Sequence, residues 1–198
     1  GGVFVPINPI LKPDQVTYIL QDCNVRVLVT TAQRLVLLAP ALAGCHDLRA
    51  VMVVGVAGEV AAVHGLTSVD WTVALASAGD AKPYRVIDRD MAAILYTSGS
   101  TGKPKGVVLS HRNMVAGATS VAQYLENRRE DRILSALPLS FDAGFSQLTT
   151  AFHAGARVTL INYLLPRDVM EAVATERITG LTAVPPLWIQ LAQLKWPA

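Results

Sequence analysis

The chain has 198 residues, of which 52% are apolar and 16% are charged, and its net charge is +2 at pH 7. This composition excludes a disordered chain and supplies enough apolar surface for a substantial core. The small net charge excludes the strong basic field with which many proteins bind nucleic acids or anionic membranes. Cys23 and Cys45 have neither zinc-site nor disulfide-framework spacing, so reduced thiols and a cytoplasmic location are expected.

The ends of the chain and its apolar runs bear on its context. No apolar run is long enough to cross a bilayer, and residues 1–3 do not resemble an export signal. There is no initiator methionine, and the last three residues follow directly on a helical pattern. We therefore expect a piece of a longer protein. The sequence leaves its oligomeric state open.

Helical periodicity alternates with short β-rich runs, which predicts an α/β fold of largely parallel sheets flanked by helices. In the first half, helices are predicted at 13–23 and 32–43 and strands at 25–29 and 50–54. Residues 77–90 are rich in Gly, Pro and charge, which is typical of a solvated linker. We predict a first subdomain at 1–80, a linker at 81–90 and a second subdomain at 91–198.

The second half continues the alternation. Strands are predicted at 92–96, 107–109, 133–137, 157–161 and 181–184, and helices after the N-cap Ser110 and near 147–153, 168–177 and 187–194. Between the first two of these strands, residues 96–106 read Tyr-Thr-Ser-Gly-Ser-Thr-Gly-Lys-Pro-Lys-Gly. We expect positive φ at Gly99, Gly102 and Gly106, which lets backbone N–H groups approach an anion. Hydroxyl groups and a lysine complete a loop suited to phosphate.

This loop is not a Walker loop, because Thr97 stands where the first glycine would be and a proline follows Lys103. It resembles the phosphate loop of the superfamily that includes acyl-CoA synthetases, peptide-synthetase adenylation domains and firefly luciferase. Residues 2–9 and 109–113 also resemble family segments, so the resemblance extends over nearly the whole chain. Within the superfamily, the stretches after residue 111 look most like bacterial acyl-CoA ligases associated with exosortase loci.

The resemblance implies a two-step ligase reaction that uses ATP, Mg²⁺ and CoA. A carboxylate attacks the α-phosphorus of ATP to give an acyl-adenylate and pyrophosphate, and a thiol of CoA or of a carrier protein then displaces AMP. Thr97 and Lys105 are the implied catalytic residues. The implied ATP-binding residues are Thr97, Ser98, Gly99, Ser100, Thr101, Gly102, Lys105 and Gly106. Lys103 occupies a position that the family leaves variable, so a solvated surface lysine is the competing interpretation.

A second segment, residues 137–145, matches the family's turn into a helix that lines the acyl pocket. Phe141 is the candidate gate for the carboxylate, and ordinary core packing is the alternative. Amino-acid-activating relatives carry a similar Phe-Asp pair, so Asp142 permits an ammonium-bearing substrate. The alternative for Asp142 is a helix cap.

Several family segments have no match before Ala198: a Tyr-Gly-x-Thr-Glu segment with the Mg²⁺-associated glutamate, a Thr-Gly-Asp ribose segment and a lysine-bearing C-terminal domain. No residue of this chain is therefore assigned as a metal ligand. We expect the chain by itself to be inactive and its parent to serve in fatty acid metabolism. The alternatives are an amino-acid-activating adenylation domain and a non-catalytic nucleotide-binding or interaction module.

Overall fold

A computed structural model describes residues 1–55, 63, 65–77, 79, 84–97 and 104–196. The chain forms two compact units. The insert unit is Pro9–Tyr84, and the main unit combines Gly1–Asn8 with Arg85–Ala198. In these described ranges no helix has the length and apolar composition that a membrane span needs. Of the predicted linker, residues 81–83 lie outside the described residues.

The insert unit is a three-stranded parallel sheet with helices. Its elements are α1 (Pro13–Asp22), β1 (Val27–Thr31), α2 (Ala32–Leu42), β2 (Ala50–Val54), β3 (Thr67–Asp70) and α3 (Trp71–Ala76). The strand order is β1-β2-β3. One sheet face is buried through Leu28, Val51 and Val53, whereas Val27 and Val29 on the other face are about half exposed.

The sequence did not predict β3 and α3, which follow a stretch without clear periodicity. Their junction has a local cause. The Asp70 carboxylate accepts hydrogen bonds from the backbone N–H groups of Thr72 and Val73, at 2.8 and 3.1 Å, and so caps α3. The predicted strand at 25–29 begins two residues later, at Val27.

The main unit contains an antiparallel hairpin followed by alternating helices and strands. Its elements are β4 (Met91–Thr97), β5 (Lys105–Ser110), α4 (His111–Tyr124), β6 (Arg132–Ser135), α5 (Asp142–Ala154), β7 (Arg157–Leu160), α6 (Pro166–Thr175), β8 (Gly180–Leu181) and α7 (Pro185–Ala192). Each predicted helix of this half is present. The helix near 147–153 begins five residues earlier than its predicted start.

The hairpin is held to the rest of the main unit by the first residues of the chain. Phe4 forms a parallel bridge with Ala93 of β4, with backbone hydrogen bonds of 3.1 Å on both sides. The Phe4 ring also lies against that of Phe145 on α5, with centroids 5.3 Å apart. This segment therefore fixes where β4 stands relative to the start of α5.

The parallel sheet of the main unit has the order β7-β6-β8. Leu134 of the central strand β6 packs in a core with Val169 of α6 and with Leu187 and Leu191 of α7. The helices α6 and α7 therefore lie on the sheet face to which Leu134 points. The helices α4 and α5 pack on each other. They bury alanines, among them Ala118, Ala122 and Ala151, and such short side chains let two helix backbones come close.

Candidate active site

The predicted phosphate loop is the connection of the β4–β5 hairpin. In the antiparallel register Tyr96 pairs with Gly106 and Thr97 with Lys105. Ser98, Gly99, Ser100, Thr101, Gly102 and Lys103 lie outside the described residues. The structure therefore locates the two ends of the loop and brings them together on adjacent strands.

Thr97 and Lys105 are the last and first residues of their strands, and both are exposed. Because directly opposed residues of an antiparallel pair project from the same face, the side chains of Thr97 and Lys105 leave the hairpin on the same side. A hydroxyl donates a neutral hydrogen bond and an ammonium carries a positive charge. This pair can bind an anionic oxygen held over the connection.

Gly106 differs from its predicted role. Its φ is not positive, so the prediction that Gly106 adopts a positive φ is wrong. It lies in β5, where an added Cβ would stand 2.8 Å from Ile94 Cγ2 and 3.2 Å from Tyr96 Cζ. A side chain at position 106 would therefore displace these two β4 side chains, which favours glycine here.

The hairpin leads directly into α4, and a capping box fixes this junction. The Ser110 hydroxyl accepts from the Asn113 N–H at 3.2 Å, and the Asn113 side-chain oxygen accepts from the Ser110 N–H at 3.0 Å. Arg112 donates to Asp88 at 2.7 Å, which ties α4 to the chain before β4. The N-cap predicted at Ser110 is confirmed.

Phe141 and Asp142 stand at the start of α5. Phe141 is the N-cap residue and is 46% exposed, so the alternative of ordinary core packing is wrong. Asp142 is the first helical residue rather than the cap, so the capping alternative is also wrong. Its carboxylate accepts a hydrogen bond from the neighbouring Ala143 N–H at 2.7 Å and is exposed. A carboxylate in the first turn is favoured by the helix dipole.

Gly144 determines where this turn lies. A Cβ at this position would stand 2.1 Å from the carbonyl oxygen of Pro138 and 3.0 Å from that of Leu137. Both are backbone atoms, so no side-chain rotation relieves the contact. The glycine therefore lets the first turn of α5 pack directly on the chain that leaves β6.

A cavity of about 640 Å³ opens in the main unit between α4, α5 and the sheet. Its wall from α5 includes Ala143, Ser146 and Gln147, whereas Phe141 and Asp142 do not line it. Its remaining wall includes Val121 and Tyr124 of α4, the C-cap residue Leu125, and Ile133 and Gly180 of the sheet. The volume is in the range of ligand-binding clefts.

Two polar side chains of α5 at this cavity are 5% exposed, Gln147 and Thr150. Gln147 Nε2 donates to the Leu134 carbonyl at 2.9 Å, whereas its Oε1 and the Thr150 hydroxyl have no hydrogen-bond partner. Neither residue was predicted from the sequence to belong to a site. Their spacing of three in an apolar helix, which places two polar groups on one face, was the available signal.

The rim of the cavity is ordered by Asp131. Its carboxylate accepts from the Arg128 N–H at 2.7 Å and from the Thr179 hydroxyl at 2.8 Å. These bonds, the Arg128 N–H first, stabilise the charged form and lower the pKa of Asp131. Through these two hydrogen bonds Asp131 joins the turn after α4 to Thr179, which directly precedes β8.

In the part of the chain that the structure describes, no group of three or more His, Cys, Asp or Glu side chains could hold a metal ion. The hydroxyl and ammonium groups at the hairpin suit phosphate oxygens, and an ammonium group cannot bind Mg²⁺ because it has no free electron pair.

Comparisons with known proteins indicate the family and the fold to which this chain is similar. A family model described as AMP-binding enzyme matches residues 1–198. Bacitracin synthase 3 of Bacillus licheniformis is 30% identical over 194 residues, 96% of this chain and 3% of that protein. The anthranilate CoA ligase AuaEII, solved in complex with anthranoyl-AMP, superposes with a TM-score of 0.84 at 24% identity over 96% of this chain and 36% of that one.

The inhibitor-bound N-terminal domain of FACL13 from Mycobacterium tuberculosis superposes with a TM-score of 0.77 at 26% identity. The match covers 98% of this chain and 46% of that domain. The chain thus spans less than half the length of each of these proteins. The structural matches confirm the predicted α/β fold of parallel sheets flanked by helices.

Proposed function

Because this chain belongs to the AMP-binding enzyme family, we propose that it is the pyrophosphate-clamping and acyl-binding part of an AMP-forming acid–thiol ligase, an acyl-CoA synthetase. The observation that carries the proposal is the hairpin register. It puts Lys105 directly opposite Thr97 at the two ends of a connection rich in glycine and hydroxyl groups. One structural relative, solved in complex with anthranoyl-AMP, supports an adenylating reaction.

In the proposed first step, a carboxylate oxygen forms a bond to the α-phosphorus of ATP while the bond to the β-phosphate oxygen breaks. The electron pair of the broken bond leaves with pyrophosphate, and the products are acyl-AMP and pyrophosphate. Lys105 offsets the negative charge that develops on this leaving group, and the Thr97 hydroxyl donates to one of its oxygens. The hairpin register places the two residues opposite each other before ATP binds.

In the proposed second step, the thiol of CoA or of a carrier protein loses its proton and its sulfur bonds to the acyl carbon. The bond between that carbon and the phosphate oxygen of AMP breaks, and AMP leaves with the electron pair. Mg²⁺, when bound with ATP, neutralises phosphate charge. The acyl group is proposed to lie in the cavity beside α5, with Phe141 and Asp142 near its entrance. A cytoplasmic location stays a prediction.

Exchange of labelled pyrophosphate into ATP tests the first step in the full-length protein. We expect exchange that depends on an added carboxylate, and we expect Lys105→Ala to reduce its rate by about 10²- to 10³-fold. Lys195→Ala is the matched control, because it removes the same charge from an exposed position of the main unit. Equal rates for Lys105→Ala and Lys195→Ala would refute the role of Lys105.

A second function, activation of an amino acid, is favoured by the exposed carboxylate of Asp142, which the structure does not use as a helix cap. A carboxylate near the entrance can pair with a substrate ammonium. The test compares amino acids with the same acids lacking the amino group. If Asp142→Asn raises KM only for the amino acids, the amino-acid function is supported. Nucleotide binding without exchange for any acid would instead support a non-catalytic module.

A further inference from the structure

The sheet face below the cavity is formed by two residues that are neighbours on adjacent strands, Ile133 of β6 and Gly180 of β8. The next pair, Leu134 and Leu181, points to the other face because side chains alternate along a strand. Leu134 and Leu181 pack in the core with α6 and α7. Ile133 and Gly180 therefore face α4 and α5 across the cavity.

Gly180 is not required by its own backbone, since its φ lies outside the positive region where glycine is favoured. An added Cβ would meet a single atom within 4 Å, Cδ1 of Ile133, at a distance of 2.7 Å. No backbone atom is close. A side chain at position 180 would thus fit the strand, and it would push the terminal methyl group of Ile133 aside.

Ile133 is 8% exposed and lines the cavity. In the sheet Ile133 stands between Gly180 of β8 and Val158 of β7. A methyl group pushed away from Gly180 is therefore expected to move into the cavity and to narrow it. The absence of a side chain at Gly180 therefore leaves this wall of the cavity open.

We infer that the Gly180–Ile133 pair sets the width of the acyl-binding cavity and so determines which carboxylic acids the enzyme accepts. This inference rests on the proposed function, because it assigns the acyl group to this cavity. Because the missing side chain at Gly180 leaves space in this wall, the substrate class is a carboxylic acid with a bulky acyl group. Its apolar part would lie over the Cα of Gly180. A methyl-sized change in such a wall alters discrimination by about 10- to 200-fold.

The test measures kcat/KM for acetate, a medium-chain fatty acid and an aryl acid with the full-length protein. We expect Gly180→Ala to lower the ratio of the bulky-acid to the acetate value by about 10-fold or more. Ile133→Val removes Cδ1, the atom that the new Cβ would contact. The double variant Gly180→Ala with Ile133→Val is therefore expected to recover most of the lost ratio.

Gly117→Ala is the matched control, because an added Cβ there meets nothing within 4 Å and the residue does not line the cavity. It should leave the ratio unchanged. If Gly180→Ala lowers all acids equally, or if Ile133→Val does not restore the bulky acids, the inference is overturned while the proposed function stands. If the unmodified protein activates no carboxylate, the proposed function fails and the inference fails with it. Should Gly180→Ala not fold, Ile133→Val by itself must raise the bulky-acid ratio.

Discussion

The same substitution, glycine to alanine, is expected to have opposite effects on stability in α4 and in α5. Gly144 is the third residue of α5, and a Cβ there would stand 2.1 Å from the Pro138 carbonyl oxygen, whereas ordinary contacts begin at 3.4 Å. The helix and the preceding chain must therefore move apart by more than an ångström. Gly117 is exposed in α4, and a Cβ there meets nothing within 4 Å.

The magnitudes follow from these distances. Overpacking costs about 1–3 kcal/mol, and the upper part of this range applies to Gly144 because the opposing atoms belong to the backbone. The higher helix propensity of alanine returns up to about 1 kcal/mol. We expect Gly144→Ala to lower the free energy of unfolding by about 2 kcal/mol. Gly117→Ala has only the favourable contribution and is expected to raise it by about 0.5–1 kcal/mol.

Urea unfolding followed by far-ultraviolet circular dichroism measures both variants against the parent chain. Amide hydrogen exchange localises the effect. In Gly144→Ala the exchange rate should increase most, relative to the parent chain, for the amides at the start of α5. Unfolding of Gly144→Ala at the same or a higher urea concentration than the parent would contradict the steric role of Gly144. That role is also refuted if both variants shift the midpoint in the same direction.

Three further predictions concern the junctions and thiols. Ser110→Ala removes the N-cap of α4 and should cost about 0.5–2 kcal/mol in urea unfolding, whereas Ser120→Ala, exposed within the same helix, should cost less. The lowered pKa of Asp131 means that its stabilisation is present above the unfolded carboxyl pKa of about 4 and is lost as the pH falls through the lower folded value. Asp131→Asn should therefore flatten the acid-induced loss of stability between pH 5 and pH 2. Cys45 is buried, and burial raises the pKa of its thiol, so Ellman's reagent should modify Cys23 first; equal rates would contradict this.

Local patterns predicted most of the elements. The run of residues 50–54 became β2 with the predicted bounds, and Ser110 caps α4 as its position before a helical pattern indicated. These features depend on neighbours in sequence. In contrast, β3 is a short strand of which only Asp70 is fully buried, and such a strand gives no clear alternation of apolar and polar residues.

The features that position the site could not be predicted, because they depend on contacts between distant residues. Gly106 and Gly144 are glycines for steric reasons that involve Ile94 and Pro138, and neither partner is visible in a local pattern. Ile133 and Gly180 line the cavity together because they pair on adjacent strands, and this pairing is set by the order of the strands. The roles of Ser98, Gly99, Ser100, Thr101 and Gly102 stay predictions.

The bridge between Phe4 and Ala93 also has a consequence for the order of folding. During synthesis residues 1–8 are made before their partner strand, which follows only after the whole insert unit. Closing a loop of about 90 residues costs about 4 kcal/mol in chain entropy beyond a constant. When the insert unit folds first, it shortens the free chain between the two partners. Folding of the insert unit is then expected to lower the entropic cost of pairing residues 1–8 with β4, the strand that precedes the phosphate loop.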